Sequence, residues 1–306
     1  MLEIHVELVL DARNGTGESP VWRADEQALY WVDIPAKKLC RWSADTGLTQ
    51  TWSAPEMLAC IAPLGTSGRW MAGAESGVFG LKPHASGELN FEHLADVEHA
   101  APGMRFNDGR CDRQGRFLAG TMVMNMAAGL DAGCIYRYEN NKHKGDAAAG
   151  QLTRLLDGFI TPNGMAFSPD GTTMYLSDSH PSVQQVWAYD YDTGTGTPHN
   201  RRLFVDMRTL PGRPDGAAVD ADGCYWICGN DAGLVHRFTP AGRLDRSLAV
   251  PVKKPAMCAF GGAQLDTLFV TSIRPEGVDL SDQPLAGGVF ALRPGVRGLP
   301  EPVCLN

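Results

Sequence analysis

One arrangement recurs along this chain and limits what it can fold into. A polar residue near a glycine opens a short apolar run, an Asp/Ser-x-x-Gly turn follows, and an aromatic-rich run comes next. "FNDGRCDRQGRFLAGT", "PNGMAFSPDGTTMYLSDS" and "PDGAAVDADGCYWICGN" share this plan. "GESPVWRADEQALYWVD" opens the same way, with Glu18 in the polar place. "ACIAPLGTSGRWMAGA" and "PAMCAFGGAQLDTLFVTS" follow the plan with apolar residues there. Marking the phase by Glu18, Ile61, Asn107, Asn163, Asp215 and Cys258 gives steps of 43, 46, 56, 52 and 43 residues. A period of that size, with several short strand-like runs per unit, is the signature of a β-propeller. Six units fill the 306 residues. The expected fold is therefore all-β, a single six-bladed propeller domain over residues 1–306.

The early run "EIHVELVL" (Glu3 to Leu10) has no unit of its own. It is expected to complete the last blade and remove an exposed sheet edge. No long stretch has the 3.6-residue period of a helix. "KHKGDAAAGQ" (Lys142 to Gln151) reads as a loop within a blade, not a linker. The seven tryptophans are expected to pack between blades.

Composition narrows the partners. Hydrophobic residues make up 43% and charged residues 20%, enough for a large core in a globular protein. The net charge of −8, without a basic cluster, argues against nucleic acid. No apolar run is long enough to span a membrane, and the acidic N-terminal stretch lacks the features of a secretory signal. Eight scattered cysteines without a CxxC pair do not read as a disulfide framework. These features predict a cytoplasmic protein, a monomer or small homo-oligomer. The Asn14-Gly15-Thr16 sequon then reads as a chance match.

In a propeller, the innermost strand of each blade lines the central channel. Residues at one phase of the repeat therefore converge at its mouth. Glu18, Asn107, Asn163 and Asp215 are the polar members of that set. Two carboxylates and two amides gathered there repel one another or go unsatisfied unless something compensates them. A hard divalent cation would do so, because all four offer oxygen. Asn-Gly and Asp-Gly are also ordinary turn dipeptides, so Asn163 and Asp215 taken singly read as turn residues. On the residues alone, both readings stand.

The motifs "GESPVW", "WVDIPAKKLCRW", "RFNDGRCDRQGRFLAGTM", "NGMAFSPDG", "AYDYDTGTG", "RPDGAAVDADGCYW" and "LAGGVFAL" resemble the regucalcin/gluconolactonase/luciferin-regenerating family from about residue 15 to about residue 293. The resemblance implies a six-bladed propeller, one divalent metal at the top of the channel, and hydrolysis of aldonolactones. It also implies Glu18, Asn163 and Asp215 as metal ligands, with Arg105 and Asn107 contacting substrate hydroxyls. One departure stands out: where family members carry glutamates after Gly-Thr-Met, this chain has Val123-Met124-Asn125. Asn125 replaces a lid carboxylate or marks its loss, which bears on sugar preference.

Lactone hydrolysis needs a polarised carbonyl, a water nucleophile and stabilisation of the oxyanion. A metal with three protein ligands keeps positions open for that purpose. Asp215 is the candidate ligand and general base. Oxygen donors favour calcium, magnesium or manganese, while the Glu/Asn/Asp set also accommodates zinc or iron. Asp178, in "LSDS", is a candidate to support the metal site or a satisfied turn residue, and His180 a candidate for the mouth or a surface histidine. Cys224 and Cys228 read as buried thiols. "DYDTGTGTP" at Asp190 lacks the glutamate of a calcium loop, since Arg201 stands at the twelfth position. Neither a G-x-S-x-G elbow nor a Walker motif is present. Two alternatives to the sugar lactonase remain: a calcium-binding regulator without turnover, and an esterase for a non-sugar lactone or organophosphate.

Overall fold

The computed structural model describes residues 5–65, 68–140 and 150–305. Glu3, Ile4 and residues 142–149 of the expected loop lie outside the described residues. Six four-stranded antiparallel sheets follow one another along the chain. In order, their innermost strands are Gly17–Arg23, Leu58–Leu64, Met104–Cys111, Pro162–Phe167, Arg213–Val219 and Pro255–Gly261. The repeat therefore counted blades correctly. The early strand, Val6–Leu10, pairs with Val289–Leu292 and supplies the fourth strand of the last blade. Asn14 fastens this closure. Its Nδ2 donates to the Gly287 carbonyl at 3.0 Å, and its Oδ1 accepts from Trp31 Nε1 at 3.1 Å. It is buried, so in this fold the sequon asparagine is a staple.

The core is divided among the blade interfaces. Six apolar clusters lie between successive blades, the sixth joining the last blade to the first. All seven tryptophans sit in or against these clusters. The described residues contain only two 3-10 turns, Met126–Ala128 and Met207–Thr209, and no helix long and apolar enough to cross a membrane. All eight cysteines are free and buried.

Each innermost strand carries a register shift of one residue against its neighbour, between Glu18/Val21, Leu58/Cys60, Phe106/Gly109, Asn163/Ala166, Pro214/Ala217 and Pro255/Cys258. Such a bulge re-aims side chains that regular pleating would point elsewhere. The polar members of the repeat fall on or inside these bulges. Asn163-Gly164 and Asp215-Gly216 therefore lie within strands, and the turn reading of these dipeptides is corrected. Their glycines serve close approach. Gly164 has a φ of 61°, and a Cβ there would lie 2.5 Å from Tyr225 Oη. A Cβ on Gly216 would collide with Met257 of the next blade at 2.3 Å.

Candidate metal centre and substrate site

The bulges bring three of the four polar repeat positions into one electrostatic neighbourhood at the mouth of the channel. Asn163 donates through Nδ2 to Asp215 Oδ1 at 2.6 Å, linking blades 4 and 5. Asn163 and Asp215 are both buried. Glu18, on blade 1, is held in place by the residue after it. Ser19 adopts a left-handed φ of 51°, and its hydroxyl accepts from Ile61 N at 2.9 Å. A left-handed conformation is costly for a residue with a Cβ. It recurs after Asn163, where glycine bears it more readily.

These carboxyls are short of donors. Burial pushes Glu18 well above the usual carboxylate range, and the charges of Asp215 and Asp108 push it further. Besides the Ser19 backbone, no hydrogen-bond donor reaches Glu18 among the described residues; Arg105 acts on it only through its charge. Burial likewise raises Asp215, to about 7. Arg213, Asn230 and Asn163 oppose that rise and Asp108 adds to it, but burial outweighs the opposition. Removing carboxylates from water without enough donors or countercharge is what raises them.

Arg105 and Asn107 stand beside this group on blade 3. Arg105 Nη1 donates to Asn107 Oδ1 at 2.9 Å and to the Phe106 carbonyl at 2.6 Å. Asn107 Nδ2 donates to the Pro162 carbonyl at 3.1 Å. Burial lowers the Arg105 pKa, against the pull of Glu18. Asn125 lies apart from this cluster. It is exposed at the head of the Met126–Ala128 turn and makes no capping bond through its side chain. His180 contacts that turn: its Nε2 lies 3.2 Å from the Met126 carbonyl and its Nδ1 lies 2.7 Å from Ser182 Oγ. Asp178 accepts from the backbone N–H groups of Ile160, Thr161 and His180, so it fastens the entry to the Asn163 strand and makes no hydrogen bond to Glu18, Asn163 or Asp215.

Two residues were missed in the sequence. Asn230 donates to Asp215 Oδ2 at 2.6 Å. It ends the second strand of its blade, as Asp33 and Asp178 end theirs. Those aspartates accept from backbone N–H groups; at Asn230 the partner is a carboxylate, and an amide supplies the donor. Lining up the ends "WVD", "LSD" and "CGN" would have singled it out. Asp108, buried between blades 3 and 4, accepts from Met165 N at 2.7 Å. It sits beside Asn107 in "FNDG", off the repeat phase that marks its neighbour.

The donor set suits a hard divalent cation. Glu18, Asn163 and Asp215 offer oxygen only, and the two carboxyls carry a desolvation cost that a cation would offset. In the arrangement described here the Asn163 amide turns its nitrogen toward Asp215, while its Oδ1 accepts from Gly164 N at 3.2 Å. Among the described residues, no cluster of three or more His, Cys, Asp or Glu side chains could hold a metal ion.

Residues 16–274 match the family described as the SMP-30/gluconolactonase/LRE-like region. The chain belongs to this family. It is 39% identical to 6-deoxy-6-sulfogluconolactonase of Pseudomonas putida, over 94% of each chain. It is 34% identical to regucalcin of Homo sapiens, over 98% of each. The crystal structure of a calcium-binding protein, regucalcin, from Agrobacterium tumefaciens superposes with a TM-score of 0.87 at 28% identity, covering 99% of this chain and 98% of that one. The family resemblance carried by the sequence motifs is thus borne out.

Proposed function

We propose that this SMP-30/gluconolactonase family member is a lactonase that hydrolyses aldonolactones to aldonic acids, with Glu18, Asn163 and Asp215 holding one divalent cation. The observation that carries this reading is the pair of under-donated carboxyls, Glu18 and Asp215, at the channel mouth beside Arg105 and Asn107. The relationship to a sulfogluconolactonase supports the reaction class, and that to a calcium-binding regucalcin supports the cation.

When bound, the cation supplies Lewis-acid polarisation of the lactone carbonyl and neutralises the carboxylates. The chain's own groups do the rest. Arg105 offers a fork of donors for sugar hydroxyls, oriented by its bond to Asn107. Asp215, held by Asn163 and Asn230, is the group that takes a proton from the attacking water. Attack at the carbonyl carbon breaks the ring C–O bond, and the ring oxygen leaves as a hydroxyl. The mouth loop carries Met124 and Met126, both part-exposed, which suit an adaptable lid over substrates of varied shape.

The test is acid release from a panel of aldonolactones, including 6-deoxy-6-sulfogluconolactone. Chelated protein would be re-supplied singly with calcium, magnesium, manganese, zinc or iron. Turnover that returns with a cation supports the reading. Tight calcium binding with no turnover on any lactone would instead establish the regulator reading.

A further inference from the structure

The segment after the last strand crosses the channel end opposite the metal centre. Gly298 N donates to the Leu265 carbonyl at 2.7 Å on blade 6, and Gly298 bridges Asp220 on blade 5. Glu301 approaches Arg110 of blade 3 at 3.6 Å. Cys304 N then donates to the Pro63 carbonyl of blade 2 at 2.7 Å. At the end of this course the Cys304 Sγ lies 2.7 Å from the Sγ of Cys111, the last residue of the innermost strand of blade 3. Each of the two cysteines is 1% exposed, and they are 193 residues apart in sequence.

We propose that Cys111 and Cys304 form a covalent modification site, joined by a small-molecule disulfide such as oxidised glutathione into a bond that locks segment 296–305 across the channel base. The sulfurs already touch, and closing to a bond of about 2.05 Å asks for less than an ångström of further approach. Cys304 is carried by a segment that belongs to no blade and meets blade 2 only through a single bridge to Leu64, so the adjustment falls on that bridge and not on a full strand ladder. Burial, together with its thiol neighbour, pushes the Cys111 thiol well above the usual range, which makes Cys111 a poor first nucleophile. Val303 and Leu305, on either side of Cys304, are exposed, so admitting the reagent requires breaking the bonds of Cys304 N to Pro63 and of Leu305 N to Gly115.

The exchange is balanced. The Cys304 thiolate attacks the reagent and releases one glutathione thiolate. Cys111 then attacks the Cys304 sulfur and releases the second. The cysteines lose two electrons and two protons, and the reagent becomes two thiols. The buried Cys228 and Cys258 thiols also meet, but both stand on inner blade strands where nothing can lift. They provide an internal control.

Full-length protein, loaded with its cation, is incubated with oxidised glutathione and then analysed by mass spectrometry and by amide hydrogen exchange. The expected result is a loss of two hydrogens in mass, a peptide joining Cys111 to Cys304, and exchange of segment 296–305 slowed at least tenfold. Lactone hydrolysis should be the same before and after, because the pair lies at the other end of the channel. Cys304→Ser and Cys111→Ser should each abolish the joined peptide. Glutathione added singly to either cysteine, joining of Cys228 to Cys258 instead, or unaltered exchange in the joined protein would each overturn the proposal.

Discussion

Both ends of the channel bury aspartates, and Asp215 at the mouth is treated unlike Asp112 and Asp220 at the base. At the base, Asp112 and Asp220 are fully buried, and each accepts four hydrogen bonds. Asp112 takes Gln114 N, Arg116 N, Arg116 Nη1 and Tyr191 Oη. Asp220 takes Asp222 N, Cys224 N, Trp226 Nε1 and Arg237 Nε. A carboxylate offers about four such sites, so nothing is left over. At the mouth, Asp215 accepts from two amides, and Glu18 from a single backbone group. A buried carboxylate with a full donor set holds structure together. One with an incomplete set is unstable by itself, which is the cost that the proposed cation would offset.

Four experiments would break or sharpen that contrast. The largest effects come from removing one aspartate at each end. Asp220→Ala should cost roughly 3–5 kcal/mol in urea unfolding, because it orphans the buried donors of Cys224 and Trp226 and takes one of three carboxylates from the buried Arg237, while the folded fraction keeps its lactone turnover. Asp215→Asn should do the reverse: turnover falls on the order of 10²–10³-fold, and chelated protein loses no stability. Equal stability losses at the two ends would break the comparison.

Next comes Asn230→Ala, which frees Asp215 Oδ2. Cation affinity by calorimetry should drop about 10–100-fold, as for other groups that orient a ligand, with the unfolding midpoint little moved. Asn230→Asp should be worse, since it sets a carboxylate against a carboxylate.

The third test is pH. Without a cation, the folded-state pKa of Asp215 is raised from 3.8 to about 7. A raised carboxyl binds its proton more tightly when folded, so its contribution to stability is present at low pH and lost as pH climbs from about 4 to about 7. Chelated protein should weaken over that window, and cation affinity should rise over it, because binding must expel the proton. A flat affinity profile between pH 5 and 7 would show that the mouth carboxyls are as well satisfied as those at the base.

The smallest effect belongs to Arg105→Lys. An ammonium cannot reproduce the fork, so kcat/KM on sugar lactones should fall about tenfold, with cation affinity unaltered.

Much of this was legible in the sequence. Glu18, Asn107, Asn163 and Asp215 could be picked out because they share one phase of a six-fold repeat; the family resemblance singled out three of them as ligands and added Arg105 beside Asn107. Asn230 and Asp108 were not picked out. Their importance comes from partners on other strands and blades, and pairing of that kind leaves no mark in local spacing. Asp178 illustrates the same limit. Its position looked suited to supporting the metal site, but backbone N–H groups occupy both oxygens.

The sequence by itself determined the number of blades, the closure by the early strand and the phase of the channel residues. Periodic placement of apolar and turn residues dictates those features one unit at a time. Only the tertiary structure decided which buried carboxyls are satisfied. That depends on how many donors from distant strands arrive at each oxygen, and the chain brings those donors together only when the ring closes.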